Sequence, residues 1–323
     1  MPRVSLQPGD PTPAKIVNKL NAANLTIGAA PFAKQSQNPT YILAKLKARN
    51  LHVASDQVAL AYLQHVGGFR LKGYYHHLTD PATKMFARGT TFDNIVQRYE
   101  FDCELRALTF RAITRLEISL RSIMANQLSM RYGPHWFFDR TKFSSDNNWN
   151  IDKTVIKIED AVIDAFKQPY IQHYYTRTNS PPLPPSWAVS ECMTFGAWSL
   201  IYKYIKDQSV KKVISMRFNI DRPDVFGSWL HTTSFLRNVV AHHDRLLNKY
   251  ISVSPLDYKK MNITFAGNSQ TMFACATVMN ILLKASGLPQ TWKTDLAELF
   301  TKYPMINIAE IGFPVDWQSQ PGW

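Results

Sequence analysis

The sequence predicts an all-α protein, and three observations predict it. Between residues 105 and 123, Leu105, Leu108, Ile113, Leu116, Leu120 and Ile123 recur at three-to-four spacing and draw an apolar stripe down one helix. No segment sustains the apolar–polar alternation of a half-buried strand, and no internal repeat is visible. Glycine and proline clusters, such as Gly133-Pro134 and Pro181-Pro182-Leu183-Pro184-Pro185, fall between the periodic stretches and not inside them.

The elements follow in order. Residues 1–14 are proline-rich and expected to be flexible. Helical periodicity begins near Ala14. Two short helices follow over Tyr41–Leu46 and Asp56–Leu63, the second capped by Ser55 or Asp56. Residues 66–90, with Gly67, Gly68, Gly73, Tyr74 and Tyr75, read as irregular and aromatic. The longest helix runs from about Phe92 to Arg131. A polar loop over 144–148 precedes a helix over about 151–168. Ser180 to Pro185 make a rigid extended connector. It leads to Trp187 and a helix reaching about Ile205, and further helices are expected near 207–217, 224–249, 271–284 and 292–303. The tail Gly312-Phe313-Pro314-Val315-Asp316-Trp317 ends the fold. The organisation is a flexible N-terminus (1–14), an N-terminal helical region (15–90) and a helical domain (91–323).

Composition bounds the function. The 323 residues allow one large domain or two modest ones, each able to bury a core. Lys and Arg number 37 against 24 Asp and Glu, a net charge of +13, so the chain attracts polyanions such as nucleic acid or an anionic membrane surface. Cys103, Cys192 and Cys275 are odd in number and far apart, which argues against a disulfide framework and a cysteine-rich zinc site; each reads as a small buried hydrophobe. No run is long enough to cross a bilayer, and MPRVSLQPGDPTP has no apolar core of a signal peptide. The expected setting is a reducing cytoplasm, with no membrane partner.

Several chemistries are set aside by spacing. Gly67, Gly68 and Gly73 match neither a P-loop nor a dinucleotide turn. The adjacent pairs His76-His77 and His242-His243 point about 100° apart on a helix, so neither chelates one ion, and no metal or cofactor is expected. Glu117 and Arg121 stand four apart and read as an exposed ion pair, with a buried, site-supporting pair as the alternative. Trp187, Phe195, Trp198 and Ser199 read as core. Glu191, a lone carboxylate in an apolar helix, needs a donor if buried.

The segment 236–250 carries the most chemistry. Read as one helix, it places Asn238, His242 and Arg245 on one face, with Arg237 about 140° from His242 but long enough to swing to the same rim. A cation, an amide and a titratable imidazole are what RNA cleavage needs: a base for the ribose 2′-OH, an acid for the leaving 5′-oxygen and a positive charge for the phosphate. The same residues also suit a basic face that only touches phosphate or pairs with acids.

The chain as a whole resembles the Abi (AbiD/AbiF-like) abortive-infection proteins of bacteria, within the HEPN superfamily of helical ribonucleases. The resemblance is carried jointly by Gly73-Tyr74-Tyr75, Gly89-Thr90-Thr91-Phe92-Asp93, Tyr99-Glu100-Phe101-Asp102-Cys103-Glu104-Leu105-Arg106, Glu117-Ile118-Ser119-Leu120-Arg121-Ser122, Thr194-Phe195-Gly196, Arg237 to Asn248, and Gly312-Phe313-Pro314 with Trp317. It spans roughly residues 40–318. It implies a HEPN-like helical bundle and an Arg-x4–6-His motif on Arg237, Asn238 and His242, with His243 also within the spacing and Arg245, Glu117, Arg121 and Glu191 in support. It further implies metal-independent RNA cleavage at a composite site made by a homodimer, phage defence through growth arrest, and for some members a small non-coding RNA partner. Arg70 and His76 also satisfy the spacing but read as coincidence. The rivals are a non-catalytic RNA-binding protein that partners a small RNA, and the toxin of a toxin–antitoxin pair.

Overall fold

The computed structural model describes residues 12–28 and 35–323; the flexible stretch expected over residues 1–14 lies outside the described residues as far as residue 11. Among the described residues the chain is helical, with only isolated β-bridges. The helices are α1 (Ala14–Ala22), α2 (Pro39–Lys47), α3 (Asp56–Tyr62), α4 (Gly68–Tyr75), α5 (Phe92–Tyr132), α6 (Ile151–Asp164), α7 (Pro169–Arg177), α8 (Ser186–Val189), α9 (Phe195–Tyr204), α10 (Gln208–Met216), α11 (Pro223–Ala241), α12 (Met272–Ala285) and α13 (Trp292–Lys302). No helix of the described residues is long and apolar enough to cross a membrane.

The all-α bundle is built around α5. Its 41 residues make a rod of about 60 Å. A capping box starts it: the Thr91 hydroxyl accepts from the Asn94 amide at 3.1 Å, and the Asn94 side chain accepts from the Thr91 amide at 2.9 Å. Gly133, at φ +89°, turns the chain away at the other end. Helices α4 and α8 to α13 all pack against this rod. Leu105, Ile113, Leu116, Leu120, Met124 and Leu128 form its buried stripe, and Arg98, Asp102, Arg106 and Glu117 are buried on it as well.

Five expectations need correction. Residues 66–90 are not wholly irregular: a π-helical turn over Leu63–Gly67 leads into α4, whose Leu71, Tyr74 and Tyr75 are buried. Helix α7 follows α6 where no separate helix was expected. The helix expected from Trp187 to Ile205 is two helices, because the Ser190 hydroxyl bonds the Trp187 carbonyl and Thr194 restarts the chain as the N-cap of α9. Phe195, Trp198 and Ser199 are core as expected, but Trp187 is exposed. Of the cysteines only Cys275 is buried, while Cys103 and Cys192 are half-buried.

The C-terminal segment closes over the bundle. Gly312 sits at φ +82°, and a Cβ there would meet the Thr271 Cβ at 2.4 Å, so only glycine fits. Phe313 is thereby set into an aromatic cluster with Phe273, Phe300, Trp317 and Trp323.

Candidate functional site

Helix α11 buries Val225, Phe226, Trp229, Leu230, Leu236, Val239 and Val240. It does not run to residue 249. It ends at Ala241 in a Schellman turn: the Asp244 amide bonds the Val239 carbonyl at 3.0 Å, and the His243 amide bonds the Val240 carbonyl at 3.1 Å. His243 takes the left-handed position, φ +58°, where glycine is usual. Because the helix stops, Arg245 does not continue the face of Asn238 and His242. Those two remain one turn apart, joined by the His242 amide to the Asn238 carbonyl at 3.0 Å, and both are exposed.

Arg237 points a different way. It is half-buried, and its Nε lies 3.7 Å from Glu117 Oε2 on α5. Glu117 Oε1 accepts from Arg121. The Glu117 side chain is only 9% exposed, so this is not the exposed pair the spacing favoured, but one carboxylate between two guanidinium groups. Arg237 Nε is shielded from solvent and has no hydrogen-bond acceptor among the described residues. That leaves donor capacity on a cation already held in place.

The turn after α11 is gripped from three sides. On α5, buried Asp102 accepts the Leu246 and Leu247 amides at 2.8 and 2.7 Å on one oxygen, and the Tyr74 hydroxyl and Arg106 on the other. Burial pushes the Asp102 carboxyl up; Arg106 and the three other donors draw it down. From α4, Arg70 donates to the His243 carbonyl, and Arg245 lies over the Tyr74 ring and against Gly73, where a Cβ would come within 3.0 Å of its Nη1. From the C-terminal segment, Glu310 accepts from the Asn248 side chain at 2.6 Å and from Arg98, and its carbonyl accepts the Asn248 amide at 3.2 Å. Burial, with Arg98 beside it, holds the His77 imidazole down at about 4. His77 is therefore neutral at pH 7, and its 4.0 Å approach to Glu310 is not an ion pair.

A family model for Abi-like proteins matches residues 61–248, more than half of the chain. The chain belongs to this abortive-infection family. No curated protein and no solved structure matches it. In this Abi-like protein the matched segment begins within α3 and stops at Asn248, so it contains the turn as far as Asn248 and two of its three holders. Glu310 lies outside it. Glu191 stands apart from the cluster, exposed on the turn after α8, and has no need of the buried donor that a core position would demand. Residue-by-residue reading missed Arg70, Asp102 and Glu310. Arg70 is masked by the glycine-rich stretch around it, and the only signal for Asp102 is its i, i+4 spacing from Arg98 and Arg106 on a helix whose stripe is otherwise apolar.

Proposed function

We propose that this Abi-like protein is a metal-independent RNA endonuclease of the abortive-infection type, acting in phage defence. The observation that supports it best is the division of labour at the end of α11: Arg237 is held against buried Glu117, while Asn238 and His242 stand exposed one turn apart. In this reading one imidazole takes the 2′-OH proton as the 2′-oxygen bonds to phosphorus, and a second protonates the 5′-oxygen as its bond to phosphorus breaks. His242 supplies the first, Arg237 stabilises the phosphate charge and Asn238 orients it. Base and acid act on opposite sides of the phosphate, so the reading includes a two-fold homodimer that brings two α11 ends together, with His243 as an alternative second imidazole.

A second reading, an RNA-binding protein that partners a small RNA without cutting, is favoured by the +13 charge, which is far more than one site uses. Incubation with total RNA in EDTA separates the two. The nuclease leaves 2′,3′-cyclic phosphate and 5′-OH ends; Arg237→Ala and His242→Ala abolish them, and His242→Ala still binds RNA, because Arg237 and the rest of the basic surface remain. Bound but intact RNA favours the second reading. A clean monomer that cuts at full rate removes the dimeric site.

A further inference from the structure

We propose that the exposed face of α4 seats the RNA strand, and that Phe69 is the side chain on which a nucleobase beside the cut phosphate stacks. This rests on the RNA reading above. Phe69 is 94% exposed on a helix whose other side buries Leu71, Tyr74 and Tyr75. The ring takes no part in the core. Phe69 and Lys72 stand at i and i+3, about 60° apart around the helix, His76 follows the helix's last residue, and all three are exposed. The face is therefore an aromatic plane set between groups that suit phosphate.

Its position ties it to the site. Arg70, the next residue, donates to the carbonyl of His243, the residue after His242. Gly73, one turn on, abuts Arg245. Helix α4 thus runs its edge along the turn that ends α11, and a strand crossing that turn continues toward the Phe69 face. An aromatic ring beside cations binds single strands through any base, since every base has a π-face, but it cannot take a base that is stacked in a duplex. A second copy of this chain suits the face less well, because a two-fold contact there sets the same basic face against itself.

The test uses the full chain carrying His242→Ala, to stop cutting, and a fluorescein-labelled mixed-sequence 12-nucleotide single-stranded RNA. Phe69→Ala is expected to weaken binding about tenfold, Phe69→Trp to keep it, and duplex RNA of the same sequence to show no difference between them. Folding is not at stake, since the ring is solvated, and an unchanged melting temperature checks this. Equal affinity of Phe69→Ala and its parent overturns the proposal and leaves the RNA reading standing. A change in oligomeric state with Phe69→Ala also overturns it and assigns the ring to a protein contact. Failure of the parent to bind the RNA overturns the RNA reading itself.

Discussion

His243 occupies the position past the end of α11 where the left-handed backbone ordinarily calls for glycine. A side chain with a Cβ costs about 1 kcal/mol there. His243→Gly is therefore expected to raise stability by about 1 kcal/mol in urea denaturation. If its imidazole serves the reaction, the same change slows cutting, so stability and activity move in opposite directions. A loss of stability would mean that the imidazole makes stabilising contacts. Glu117 poses the reverse case. Glu117→Gln keeps the shape but leaves Arg121 and Arg237 without their shared charge, for an expected loss of about 2 kcal/mol, less than a fully buried pair because both arginines reach solvent. It also frees Arg237, and a shift of about 1 Å there is expected to slow cutting roughly a hundredfold. Unchanged melting and unchanged cutting would show that Glu117 positions neither arginine.

The element that matters is the stretch from His242 to Tyr250. It has no regular structure of its own and is ordered by groups brought from α4, α5 and the C-terminal segment. Asp102→Asn removes the charge opposite Arg106 and confronts the Tyr74 hydroxyl with an amide in place of a carboxylate. The expected cost is about 3 kcal/mol, with faster hydrogen exchange at the Leu246 and Leu247 amides. Exchange unchanged at those two amides would show that the turn is held without Asp102. This also explains which elements could be read from the sequence. Helix α5 was legible because cap, stripe and terminating glycine agree along one stretch. The end of α11 was not, because histidine stands where glycine would have marked the stop. Helix α4 was hidden by three glycines, one of which, Gly73, is there to admit Arg245 from a segment 172 residues away. The residues that face one another across the site were legible as types; their partners, set by packing between distant helices, were not.

For the whole molecule the governing quantity is charge. With a net +13 over 323 residues, the proposed RNA binding is expected to depend on counterion release. A single-stranded interface that neutralises about six phosphates loses affinity about three-hundredfold between about 50 and 200 mM salt. Binding measured over that range that stays flat would remove nucleic acid as the partner of this charge. The helical class was legible at this scale because periodicity reports the buried faces of many helices at once. The three-sided grip on the turn has a consequence in time. Glu310 lies 62 residues beyond Asn248, and at roughly 5–20 residues per second the ribosome adds them in about 3–12 s. Throughout that interval the His242 turn exists in the nascent chain without its last holder, and Arg98 waits beside it with its charge unmatched. A protein born among RNA thus acquires its finished turn only after Glu310 has been made.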